Sequence, residues 1–208
     1  MKTKWCIYVI ACLVSSVGAT ACADEVVETG TTFFVQTRGG QPAVCGLEYQ
    51  IAFRDRTNRQ GALAAIYGSL AWTSAPDNMM ALILKVGGVD FDQQTQKPVA
   101  KFPVIRGFLA FDGKPVTPML SDRCEDRVEF CGVYDPNTAV RTFVSLFPRI
   151  HRATPSGDLS IGFLRQNSGL DVVLPLNVNP DSFASDEFKS FAPCFETLSD
   201  RERTSQTK

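Results

Sequence analysis

Apolar residues in much of this chain recur at every second position, the period of a strand with one buried face. The clearest case is residues 44–54 (VCGLEYQIAFR), where Leu47, Tyr49, Ile51 and Phe53 share a face. Residues 31–37 (TTFFVQT), 64–73 (AAIYGSLAWT) and 81–86 (ALILKV) read the same way, rich in β-branched and aromatic side chains. Residues 101–111 (KFPVIRGFLAF) predict another strand, in which Pro103 marks an edge or a bulge. The dipeptide Asp112-Gly113 closes that strand with a turn. Residues 159–166 and 170–178 flank an Asn-Ser-Gly turn and predict a hairpin. The pentapeptides GSLAW (from Gly68) and GFLAF (from Gly107) each place a glycine where a neighbouring backbone is expected to approach closely.

The period changes at residues 135–147. Asp135 is a good N-cap and Pro136 suits the first helical position. Val140, Phe143, Val144 and Phe147 then fall at i, i+3, i+4 and i+7, one helical stripe, and Pro148 ends it. A second helix is expected from Asn179-Pro180, carrying Phe183, Phe188 and Phe191 inward and ending before Pro193. The predicted fold is mainly β, an antiparallel β-sandwich or curled sheet with two short helices late in the chain.

Residues 1–23 have the order of an export signal: Lys2 and Lys4, an apolar run WCIYVIACLV, then small residues up to Ala23, before Asp24 and Glu25. The run is shorter than the roughly 20 residues a membrane-spanning helix needs. Ala21-Cys22-Ala23 fits cleavage before Asp24. Cleavage after Ala21 is the alternative, and a lipoprotein acylated on Cys22 is the disfavoured third, since Ala19 stands where leucine is usual. The expected destination is the periplasm or the exterior of a Gram-negative cell. Residues 24–198 then form one β-rich domain, and 199–208 (SDRERTSQTK) a polar, frayed tail.

Of the seven cysteines, Cys45, Cys124, Cys131 and Cys194 lie beyond the leader. An even number in an exported chain argues for two disulfides. Cys124 with Cys131 would close a small local loop, leaving Cys45 with Cys194. The C-x6-C spacing of Cys124 and Cys131 fits neither a zinc site nor a C-x-x-C redox pair. Loss of Lys2 and Lys4 with the leader moves the net charge from −1 to −3. That near-balance gives no sign of a nucleic-acid protein.

Chemistry-bearing residues are few. Arg54, Arg56 and Arg59 crowd one loop and define either an anion site, for a carboxylate, phosphate or acidic sugar, or a solvated turn. His151, the only histidine, lies just past the first helix, where a cation is favoured by the helix dipole. Asp90-Phe91-Asp92 begins like a calcium loop but has Thr95 and Lys101 where glycine and glutamate are needed, so an acidic turn is expected. Glu125, Asp126 and Glu129 fall within or beside the small cysteine loop. Tyr49, Tyr67, Trp72 and the phenylalanines could line a pocket, although most sit on stripes that belong to a core.

From Cys124 onward the sequence runs through Cys131-Gly132, the helix at 135–147, a hairpin, and residues 171–178 (DVVLPLNV) followed by Phe183. This order resembles the C-terminal half of exported proteobacterial proteins of the invasion-associated locus B type. The resemblance covers about 70 residues and implies a periplasmic or surface-associated, non-enzymatic β protein linked to host-cell interaction. It departs in its wider cysteine spacing and in a missing glycine-phenylalanine step, and it carries no functional residue across.

Two functions follow as expectations. One is a non-catalytic binding or interaction module, without cofactor or metal, whose partner is a protein or a small anionic ligand. The other is an exported hydrolase acting on envelope glycans through two of Glu48, Asp90, Asp92 and Glu129.

Overall fold

The computed structural model describes residues 24–74, 79–123, 129–147 and 158–206. The leader, Cys124, Glu125, Asp126 and His151 lie outside those residues. Eleven strands form two antiparallel sheets among the described residues. The first contains β1 (Glu25–Arg38), β2 (Gln41–Asp55), β3 (Ala62–Ser74), β4 (Met80–Phe91), β9 (Phe130–Tyr134) and β8 (Leu120–Arg123), in that lateral order. β5 (Pro98–Phe102) joins the far end of β4. The second sheet runs β11 (Val172–Pro175), β10 (Leu159–Arg165), β6 (Val104–Phe111), β7 (Lys114–Val116).

Pro103, expected at an edge or bulge, is the single residue at which the chain leaves the first sheet and enters the second. It has no N–H to give a ladder, and its carbonyl accepts a hydrogen bond from the Gln166 N–H at 3.0 Å. The Asp112-Gly113 turn is present, with both residues at positive φ (52° and 73°) and Phe111 paired to Lys114. This is the backbone that a two-residue hairpin between right-twisted strands requires.

The alternation in β2 is realised: Cys45, Leu47, Tyr49, Ile51 and Phe53 are all buried on one face. Register carries that face across the sheet. Cys45 lies beside Trp72, Trp72 beside Leu82, and Leu82 beside Tyr134. The second sheet covers one end of this face through β6, which packs on β4 and β9. Helices cover the other end. α2 (Pro136–Leu146) starts where Asp135 accepts from the Thr138 N–H, and it packs on β4.

The last helix departs from expectation. Asn179-Pro180 opens a 3-10 turn, Pro180–Ala184, and α3 then runs Asp186–Gln206, through Pro193. Residues 199–206 therefore continue the helix where a frayed tail was expected. An interior proline costs about 3 kcal/mol. Here Phe191, Phe195 and Leu198 are buried on both sides of it, against Phe33, Trp72 and Phe143. The neighbouring Cys194 is bonded to Cys45 on β2, with Cα atoms 5.9 Å apart. Burying side chains of this size stabilises by about 1.5–3 kcal/mol each, which more than offsets the proline.

Candidate functional site

The solvent face of the first sheet is polar over its central strands. Register aligns Thr32, Glu48, Ser69 and Lys85 in one row across β1 to β4. The next row holds Gly30, Gln50, Tyr67 and Gly87. Small residues stand among large ones in these rows, and a concavity of about 700 Å³ lies over them. Its walls come from residues 28–32, 48–50 and 67–69, with Lys85 and Asn179. The volume lies within the range usual for small-molecule sites, though the lining is more polar than most.

Three local features build it. Tyr67 lies flat over Gly87: a Cβ there would stand 2.6 Å from the phenol ring. Tyr49 spans Gly68, so that its hydroxyl donates to the Lys85 carbonyl at 2.7 Å on the strand beyond. At the sheet edge, the Ser182 hydroxyl donates to the Thr31 carbonyl and the Asn179 N–H donates to the Thr31 hydroxyl, both at 3.3 Å. These contacts occupy part of an otherwise open strand edge.

At the β4 end, Glu129 is almost wholly buried. Its carboxylate meets the Lys85 ammonium at 2.6 Å and lies 3.9 Å from that of Lys101. Lys85 and Lys101 keep about half of their side chains in solvent. The Lys101 ammonium also sits 5.6 Å from the centre of the Tyr67 ring. The Tyr67 hydroxyl is buried beside Lys101 and Glu129, yet no hydrogen bond of good geometry satisfies it. Burial raises the Tyr67 phenol above its usual range, Glu129 adds to the rise and Lys101 opposes it. At the β1–β2 end, Glu28 and Glu48 are both exposed. The concavity thus carries Lys85, paired with Glu129 and backed by Lys101, at one end and two exposed carboxylates at the other.

The arginine loop is arranged differently from an anion site. Arg56 pairs with Glu25 at 2.9 Å, and Arg59 pairs with Asp90 at 2.9 Å. Arg54 is exposed on β2. The two paired guanidiniums are held by separate carboxylates. The loop itself is a one-turn helix, α1 (Arg56–Arg59), capped by Asp55 and by Asp24, whose carboxylate accepts from the Arg56 and Thr57 N–H groups.

The other candidates are dispersed. Asp90 also binds Arg165 at 2.8 Å. Asp92 forms the expected acidic turn, accepting from the Gln94 and Thr95 N–H groups. Those bonds, the Thr95 N–H first, hold its carboxyl below the usual range. Among the described residues no group of three His, Cys, Asp or Glu could hold a metal ion. Cys131 is disulfide-bonded, while its expected partner Cys124 lies outside the described residues. Of the aromatic residues, Tyr67 lines the concavity, and Trp72 belongs to the core, donating to the Ala139 carbonyl at 2.9 Å.

Sequence reasoning missed Glu28, Lys85 and Lys101 as partners of Glu48, Tyr67 and Glu129. The alternation marks the polar positions on each strand, but only register shows that they share a row.

Fold and site together define a two-sheet antiparallel β protein with a polar, bipolar concavity on its open face. No family model, no curated protein and no solved structure matches the chain. No helix among the described residues is long and apolar enough to cross a membrane.

Proposed function

We propose that the protein is exported and works outside the cytoplasm as a non-catalytic binding module. The observation that carries this reading is the 700 Å³ polar concavity across β1–β4. The buried carboxylates Asp55 and Glu129 and the part-buried Asp90 are each held by a cation. Export is supported by the leader-like order of residues 1–23 and by the Cys45–Cys194 bond, which belongs to an oxidising compartment. The likeness of the sequence from Cys124 onward to invasion-associated locus B type proteins points the same way.

Native mass spectrometry of the protein recovered from a bacterial periplasm, without reductant, tests it. The expected species starts at Asp24, carries no lipid, has lost four thiol protons and retains a small-molecule adduct. A mass still including residues 1–23 would count against export.

The alternative, a hydrolase of envelope glycans, has one support: Glu28 and Glu48 line the same concavity. Turnover of a glycan panel that disappears on Glu48→Gln would establish it. A flat panel would remove it.

A further inference from the structure

The charges of the concavity are separated along one row of the sheet. Glu48 and Lys85 stand on the same row with Ser69 between them, two strand spacings apart. That is about 10 Å at the usual 4.7–4.9 Å between strands. At the cationic end Lys85 and Tyr67 line the concavity, and Lys101 stands behind them, two lysines against the single carboxylate of Glu129. The Tyr67 hydroxyl lies between Lys101 and Glu129 without a hydrogen bond of good geometry, so it is placed to join a carboxylate bound at Lys85. The opposite end offers the exposed carboxylates of Glu28 and Glu48 and no basic side chain in the lining. A lone anion would meet those glutamates, and a lone cation would meet the lysines. A ligand carrying both charges about 10 Å apart satisfies both ends. An extended chain advances at most about 3.3–3.6 Å per residue, so three residues span the gap.

We propose that the concavity takes a short free peptide of about three residues as a zwitterion. Its α-carboxylate lies at Lys85, Lys101 and Tyr67, and its α-ammonium lies at Glu48 and Glu28. The inference rests on the binding-module reading and names the ligand class of that site. Gln50 and Ser69, in the rows between the charged ends, face the peptide's backbone amides. The lysines are half-exposed and the glutamates exposed, so the charge contribution is screened by salt.

Isothermal titration of the disulfide-bonded protein with trialanine, N-acetyl-trialanine and trialanine amide tests the assignment. Alanine and hexaalanine fix the length, and a neutral trisaccharide is run as a competitor class. Trialanine is expected to bind at low ionic strength, with at least a tenfold loss when either terminus is blocked. Glu48→Gln changes an exposed side chain and leaves folding intact. It is expected to abolish the preference for a free N-terminus while keeping that for a free C-terminus. Lys85→Met alone strands Glu129, and Lys85→Met/Glu129→Gln still leaves the Lys101 cation, so the triple variant Lys85→Met/Lys101→Met/Glu129→Gln tests the other end, with loss of the C-terminal preference expected.

Equal binding of free and blocked peptides would overturn the proposal. Binding of the trisaccharide alone, lost on Tyr67→Ala, would overturn the peptide assignment and leave the binding module standing. No heat from any probe, together with no adduct on the periplasmic protein, would remove both.

Discussion

The Arg165 guanidinium on β10 meets the Asp55 carboxylate on β2 at 2.7 Å, and the contact ties the second sheet to one end of the first. Asp55 has no solvent exposure, and its other carboxylate oxygen accepts from the Asn58 N–H to start α1. Arg165 uses its second nitrogen on Asp90 and stacks its guanidinium 3.8 Å from the centre of the Phe102 ring. One buried cation thus holds elements from β2, β4, β5 and β10.

Removing that cation leaves Asp55 charged and unpaired in the interior. Arg165→Met is expected to destabilise by about 3–5 kcal/mol, the usual cost of breaking a buried pair from one side. The double variant Arg165→Met/Asp55→Asn should recover a large part of the loss, because no uncompensated charge remains. Urea denaturation of the four proteins of this cycle measures the coupling. Independent, additive effects would show that Asp55 is solvated.

The Cys45–Cys194 bond closes a separation of 149 residues and joins α3 to β2. In the chain-entropy model a closure of that length contributes about 5 kcal/mol. Cys45→Ala/Cys194→Ala is expected to lose a stability of that order. The loss should appear first in α3, whose Pro193 weakens the helix beside the bond. Hydrogen exchange of residues 186–206 compared with that of β3 follows the difference. Uniform exchange in both segments would show that the helix holds without the bond.

The strands were legible because single residues carry their pattern: Leu47, Tyr49, Ile51 and Phe53 announce β2, and Asp112-Gly113 announces its turn. Gly39-Gly40, at φ 59° and 76° between Arg38 and Gln41, turns β1 into β2 in the same way and was equally readable. The end of α3 was hidden because Pro193 and the charged residues after it argue against a helix. The stripe that overrides them, Phe188, Phe191, Phe195 and Leu198, works only against the aromatic residues of a distant sheet. The concavity was hidden for a related reason. Glu48, Tyr67 and Lys85 lie far apart in sequence, and the alternation of each strand says nothing about its neighbour's register. The partners of the arginine loop were hidden too, because Glu25 and Asp90, which pair with Arg56 and Arg59, arrive from other strands.

Gly68 and Gly30 give a contrast that separates close packing from mere flexibility. A Cβ on Gly68 would stand 1.8 Å from the Lys85 carbonyl oxygen and 2.9 Å from the Tyr49 hydroxyl. The expected approach of a backbone is present there. At Gly107 the near atoms are instead side chains, of Phe130 and Val86. Gly68→Ala is expected to cost about 1–3 kcal/mol or more, as overpacking does. Gly30, with nothing within 4 Å of a Cβ, should accept alanine with a change within about 1 kcal/mol. Thermal melts of the two variants decide, and equal effects would show that β3 and β4 separate easily at Gly68.

Alkaline pH gives a last test of the core. Tyr49 is raised well above the ordinary phenol range, by burial first, with the Tyr134 and Glu129 charges adding to it. Tyr134 is raised as well, by burial, opposed by the Leu109 N–H that donates to its oxygen at 3.1 Å. Below pH about 10 both phenols are protonated in the folded and unfolded chain, and their contribution to stability is fully present. Above it the unfolded chain releases protons that the folded one retains, so stability falls as pH rises towards the folded pKa values. The slope is up to about 1.4 kcal/mol per pH unit for each phenol. Urea melts at pH 9, 10, 11 and 11.5 should therefore show a progressive loss, and Tyr134→Phe, which cannot ionise, should make it shallower, with Tyr49 and the raised Tyr67 accounting for the rest. A stability that stays level over this range would place both hydroxyls in contact with solvent.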